Sequence, residues 1–141
     1  MLADCVIRNM SLLLNVGPDR HGKITTEAEN VLRQTGNWLE KVGDAVYGTR
    51  GGPWNPKDGE FGYTYKGNTI YIYLLNGFKG DEFILPAINK DQKVIRAYTV
   101  IDGKTISAKS NNMKTVLKDF QRVDKDVTII AVELNKTVMP E

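Results

Sequence analysis

The sequence predicts a mainly β chain with an α/β appendage, an antiparallel β-sandwich preceded by a helix–strand–helix piece of a larger α/β domain. Three observations predict it. Leu12-Leu13-Leu14-Asn15-Val16 is a short apolar run closed by Gly17-Pro18, the pattern of a strand buried on both faces. The segment beyond Gly22 carries apolar residues at helical spacing. After residue 60 the period falls to two, with turn residues between short runs. A strand buried on both faces belongs to a parallel sheet under helices, and one strand makes no sheet. With no second strand–helix repeat in the chain, its beginning reads as the last piece of a larger domain, and the chain as a fragment.

Leu2, Val6 and Cys5 share a helical face in residues 2–9, the tail of a helix before the strand, and Asn9, Met10 and Ser11 make the turn. The strand is expected over 12–16, with a polar loop from Gly17 to Gly22. Ala28, Val31, Leu32, Thr35, Leu39 and Val42 then form one apolar stripe of a helix at about 25–42. Thr26 and Glu29 have capping-box spacing, and Gly43 suits the left-handed position that ends a helix. Gly36 costs about 1 kcal/mol relative to Ala inside a helix. A close backbone contact beside Trp38 is the expected compensation.

Gly48 to Gly59 is rich in Gly and Pro, and the period changes across it. Domain boundaries follow at 1–50, a connector at 51–59, and a sandwich at 60–141. In the sandwich, Phe61, Tyr63 and Tyr65 alternate with small or polar residues up to a turn at Gly67-Asn68. Ile70, Ile72 and Leu74 alternate next. A strand at about 94–101 meets Asp102-Gly103, a strong hairpin signal, with Thr105 to Lys109 as its partner. Thr115 to Phe120 alternates less cleanly, and Val127 to Leu134 is the last strand. Ile70, Ile72, Leu74, Ile129 and Ala131 are expected to point inward.

Composition narrows the function classes. The 141 residues are 41% apolar and 26% charged, ordinary for a globular domain. Nineteen basic and 17 acidic side chains give a net charge of +2, and the basic ones are scattered, so nucleic acid is not an expected partner. Neither is a membrane, because no run approaches the roughly 18 apolar residues of a span. Asp4 and Arg8 interrupt the N-terminal apolar residues, so no signal peptide is read there. The single cysteine, Cys5, excludes a disulfide framework within the chain.

Chemistry is equally sparse. His21 is the only histidine and no spacing ties it to Cys5, so neither a nucleophilic triad nor a metal cluster is indicated. The glycines at 48–52 lack a Gly-Lys-Ser/Thr ending, which argues against a phosphate loop. No catalytic residue and no cofactor is expected. If 12–16 is a barrel strand, catalytic groups gather at its C-terminal end. Asn15, Asp19, Arg20 and His21 then border an active site built by other strands; on the plainer alternative, Asn15 pairs with backbone and the loop only closes the barrel. The alternating aromatics Phe61, Tyr63, Tyr65, Tyr71 and Tyr73 invite sugar stacking, though cross-strand packing uses the same residues.

Leu12-Leu13-Leu14-Asn15-Val16-Gly17-Pro18 with Asp19 and Gly22, then Gly36-Asn37-Trp38-Leu39, then Gly43-Asp44-Ala45-Val46-Tyr47-Gly48-Thr49-Arg50, resemble the C-terminal part of the α-L-fucosidases of glycoside hydrolase family 29. The resemblance covers nearly the whole chain, strongly over 12–54 and in outline afterwards. Met10-Ser11 departs from it, standing where the family commonly has Gly-Asn. It implies that residues 1–50 are the C-terminal remnant of a (β/α)8 catalytic barrel and the rest its β-sandwich. It further implies a retaining glycosidase whose two carboxylates, about 5–5.5 Å apart, lie upstream and hydrolyse terminal α-L-fucosyl linkages without metal or organic cofactor. The partner so implied is a fucosylated glycan, and the parent family is secreted, periplasmic or lysosomal. This chain alone is expected to be inert. The alternative is a self-standing carbohydrate-binding or protein-interaction sandwich. Strand 12–16, stripped of barrel neighbours, is expected to pair as a two-fold homodimer or beside the sandwich.

Overall fold

A computed structural model describes residues 1–111, 114–122 and 126–139, so the expected sandwich end at 141 lies outside them. Two helices come first, α1 (Leu2–Ile7) and α2 (Thr26–Val46). Eight strands follow: β1 (Arg50–Gly51), β2 (Phe61–Lys66), β3 (Thr69–Leu75), β4 (Phe83–Leu85), β5 (Val94–Thr99), β6 (Ser107–Asn111), β7 (Lys114–Lys118) and β8 (Val127–Leu134). They form a five-stranded sheet in the order β1-β2-β3-β8-β5 and a three-stranded sheet in the order β4-β7-β6, all pairs antiparallel. The predicted fold class holds, and β8 has the predicted limits.

The register of the large sheet explains which side chains meet. Ile72 lies opposite Tyr63 on one side and Ile130 on the other, while Ile70 faces Val132. These residues, with Leu74 and Leu134, meet Phe83, Leu85 and Leu117 of the small sheet. The alternate residues Tyr71, Tyr73, Ile129 and Ala131 are also buried, against Ala3 and Ile7 of α1 and Val42 and Ala45 of α2. Ile129 and Ala131 are therefore inside, but under the helices rather than between the sheets as expected. Cross-strand parity decides this, because Ile130 and not Ile129 shares a face with Ile72. Three layers result, and the large sheet is covered on both faces.

The Asp102-Gly103 hairpin forms, with Thr99 N donating to Lys104 O at 2.9 Å and Ile106 N to Ala97 O at 2.9 Å. Its expected partner at 105–109 does not stay in that sheet. After Thr105 bridges Tyr98, the chain buries Ile106 and crosses to the small sheet as β6. At the start of the connector, Arg50 and Gly51 form β1, paired with Tyr65 and Thr64. Nothing in the alternation foreshadowed the short β4.

Helix α2 departs from expectation at both ends. Its N-cap is Thr25, whose hydroxyl accepts from Ala28 N at 3.3 Å, so the cap lies one residue before the predicted box. The helix also runs through Gly43 to Val46. Its late carbonyls find partners on the sheet: Ala45 O accepts from Tyr73 Oη at 2.5 Å, Thr64 Oγ1 at 3.0 Å and Thr49 Oγ1 at 3.2 Å. Helix ends leave such carbonyls without intrahelical partners, so these hydroxyls extend and anchor the last turn. The left-handed glycine is Gly48, at φ +69°, one residue past the Tyr47 cap.

Only the C-terminal half of α2 is covered. Val42 and Ala45 are buried, whereas Val31 is 57% exposed and Gly36 has nothing within 4 Å of an added Cβ. The expected backbone contact at Gly36 is absent because no described element lies against that part of the helix. Gly36→Ala is therefore expected to stabilise this chain by about 0.5–1 kcal/mol through helix propensity alone. A higher urea midpoint with an unchanged slope would show it; a lower midpoint would mean that a neighbour occupies the site.

Strand 12–16 is not a strand here. Residues 11–17 join no ladder, and Leu13 is 92% exposed. Pairing beside the sandwich is thereby corrected. An apolar run without neighbouring strands gains no backbone partners.

Burial gives the sheet a signature at high pH. Tyr63 and Tyr71 are each pushed up to about 12 by desolvation, and burial raises Tyr73 further still. Phenols whose folded pKa exceeds the unfolded value near 10 favour the folded state fully below pH 10, and that contribution is lost as pH rises towards 12. Thermal unfolding scans should thus show the midpoint falling steadily above pH 10. Tyrosinate absorbance from these three rings should appear only together with unfolding, and free titration at pH 10–11 in the folded chain would contradict the burial.

Candidate functional site

The expected rim residues lie between the two helices. Helix α1 ends in paired terminal bonds, Asn9 N to Val6 O at 3.2 Å and Met10 N to Cys5 O at 2.8 Å, with Asn9 left-handed at φ 54°. The turn predicted at Asn9-Met10-Ser11 is thus formed. The chain then runs out through the exposed apolar segment to a closed loop, where Pro18 bridges Ile24.

Asp19 shapes that loop. Its Oδ1 accepts from His21 N at 2.8 Å and Lys23 N at 2.9 Å, while its own N–H donates to Lys23 O at 2.8 Å. A carboxylate oxygen so engaged acts as a local scaffold. Beyond it, Arg20 Nε donates to His21 Nε2 at 3.1 Å, and both side chains are exposed. Asn15 is exposed as well, and among the described residues no hydrogen bond joins it to Asp19, Arg20 or His21. The structure gathers Asp19, Arg20 and His21 into one loop and leaves Asn15 on the approach to it. No group of three or more His, Cys, Asp or Glu side chains that could hold a metal occurs among the described residues.

The aromatic alternation serves packing. Tyr63, Tyr71 and Tyr73 are buried, and Phe61, Tyr63, Phe78 and Phe83 meet edge to face or tilted, with ring centroids 5.2–6.5 Å apart. None of these three tyrosine rings offers a face to a sugar. An open cleft of about 350 Å³ lies elsewhere, between the end of α1 and residues 51–56. Trp54 lines it, held at 5.1 Å from Tyr63 in a T-shaped contact. Sequence reasoning treated this stretch as a connector; its signal was a tryptophan set between two prolines.

A family profile described as Alpha-L-fucosidase matches residues 1–44, which are α1, the loop and most of α2. The architecture of nearly the whole chain recurs in the alpha-L-fucosidase isoenzyme 1 from Paenibacillus thiaminolyticus, at a TM-score of 0.79 and 26% identity over 95% of this chain. The chain matches the C-terminal part of the family 29 α-L-fucosidases. The Thermotoga maritima alpha-fucosidase is similar over 93% of this chain, at a TM-score of 0.72 and 25% identity. By sequence, the Branchiostoma floridae Alpha-L-fucosidase is 35% identical over 80 residues, which is 54% of this chain. The Bos taurus Tissue alpha-L-fucosidase is 36% identical over 66 residues, or 45% of this chain. This chain spans 17% of the Branchiostoma fucosidase and about a third of each of the two bacterial fucosidases.

Proposed function

We propose that this chain supplies the closing strand–helix unit and the sandwich of an α-L-fucosidase that removes terminal α-L-fucosyl residues from glycans. In this reading residues 1–50 complete a barrel, 51–59 connect, and 60–141 are the sandwich. Asn15, Asp19, Arg20 and His21 border the sugar site, while the nucleophile and the acid/base stand on other strands. One coincidence carries the reading. Among the described residues six exposed large apolar side chains, Met1, Met10, Leu13, Leu14, Ile24 and Val31, lie in the segment matched by the fucosidase profile, against four in the rest of the chain. A surface of that kind marks a missing neighbour. Without one, two copies of the chain are expected to associate through it.

The purified chain should not hydrolyse an aryl α-L-fucoside, since two placed carboxylates are required. Co-expression with a fucosidase barrel lacking its last strand–helix unit should restore hydrolysis and convert the self-associated chain into a heterodimer in light scattering. Turnover by the chain alone, surviving rigorous purification, would overturn the assignment of catalysis to other strands.

The second reading, a self-standing carbohydrate-binding module, is favoured by the Trp54 cleft, which lies between α1 and the connector that leads into the sandwich.

A further inference from the structure

The cleft beside Trp54 has the chemistry of a sugar site. Its floor is backbone: a Cβ on Gly51 would lie 2.6 Å from Ile7 O, and Gly52 sits at φ +124°, so side chains are excluded from both positions. Asn9, which also lines the cleft, braces this floor, accepting from Gly51 N at 2.6 Å and donating to Gly51 O at 3.3 Å. Trp54 and Pro56 give apolar walls.

The polar groups at the mouth keep free capacity. Arg8 Nη2 donates to Asp58 Oδ1 at 2.5 Å, which leaves Nε and Nη1 without a partner among the described residues. Asn55 lines the cleft, is exposed and makes no hydrogen bond among the described residues. Because Arg8 and Asp58 are paired, the mouth carries no net charge from them.

An apolar plate, unsatisfied amide and guanidinium donors and a neutral mouth suit one class of ligand. A pyranose has an apolar C–H face and a rim of hydroxyls that both donate and accept. A peptide would need a strand edge or deep side-chain pockets, and a phosphate would need uncompensated positive charge. The volume is at the lower end of small-molecule sites and holds one sugar ring with room for part of a second.

We propose that the cleft between α1 and residues 51–56 binds a neutral pyranose unit, with Trp54 against its apolar C–H face and Asn55 and Arg8 on its hydroxyls. This site goes beyond the barrel assignment and does not depend on it. A neutral glycan held there would be tethered by the same chain that carries the rim loop.

The test uses the isotope-labelled chain titrated with methyl α-L-fucopyranoside, with methyl β-D-galactopyranoside and with the charged methyl β-D-glucuronide, read by amide and indole chemical shifts. Saturable shifts confined to Gly51, Gly52, Asn55 and the Trp54 indole are expected with at least one of the neutral glycosides. Trp54→Leu should weaken binding about tenfold or more, through loss of the ring face, and Asn55→Ala roughly threefold. Asn55 is exposed, so that variant keeps the fold intact even if the Trp54 change loosens the contact with Tyr63. Folded chain with no saturable shift, unchanged affinity in both variants, or binding of a glucuronide alone would overturn the proposal. Failure of barrel complementation would leave these shifts unaffected, so the two readings fail separately.

Discussion

Ile72→Ala is expected to lower the unfolding free energy by about 2–5 kcal/mol, among the largest losses available to a single substitution in this chain. Ile72 is fully buried at the centre of the large sheet, between Tyr63 and Ile130 across the ladder, and faces the small sheet. Truncation removes its transfer free energy and leaves a cavity. Three strands meet there, so the walls cannot collapse without breaking register. Urea titration should show a midpoint shift at constant slope. Ile95→Ala provides the control, since Ile95 is 64% exposed beside the irregular step in β5 and should change stability by less than about 0.5 kcal/mol. Equal effects at the two positions would refute the two-sheet core.

Gly62→Ala should separate α1 from the sheet. A Cβ at Gly62 would lie 2.4 Å from Ile7 Cδ1 and 2.9 Å from Ile7 Cβ. The Cδ1 end can swing aside, but the Cβ moves only with the helix. Overpacking of this kind costs about 1–3 kcal/mol. The helix has only six residues and depends on docking rather than on its own hydrogen bonds. Cys5, buried on α1, provides the readout, because its thiol should react with a chromogenic disulfide far faster once the helix lifts. Slow thiol reaction in a folded Gly62→Ala chain would show that Ile7 does not seat the helix. The Asn9 clamp on Gly51 depends on the same docking, so the sugar shifts at the cleft should weaken in parallel.

These effects show how the two parts of the chain are joined. The hydroxyls of Tyr73, Thr64 and Thr49 hold the end of α2 through the Ala45 carbonyl, and Ile7 and Asn9 hold the end of α1 against β1 and β2. Both ends of the segment that carries Asp19, Arg20 and His21 are therefore fixed to the sandwich. In the proposed enzyme, the sandwich acts as the footing of the barrel's last unit.

Local patterns were enough to identify the sandwich, the helix and the Asp102-Gly103 turn, because alternation, helical spacing and turn preferences are encoded within a few neighbouring residues. The three motifs of residues 12–50 were likewise enough to indicate the fucosidase resemblance. Only the tertiary structure decided which face each strand presents, since the parity of Ile129 and Ile130 depends on the partner strand and not on β8 itself. It also moved the end of α2 from Gly43 to Val46, because the hydroxyls that satisfy its carbonyls come from strands β2 and β3 and from Thr49 beyond the helix. It left the apolar run at 12–16 unpaired, since a strand exists only where other strands supply its hydrogen bonds. The cleft at Trp54 stayed hidden for the same reason. Arg8 and Trp54 are far apart in the chain, and only the docking of α1 against β1 brings them to one opening.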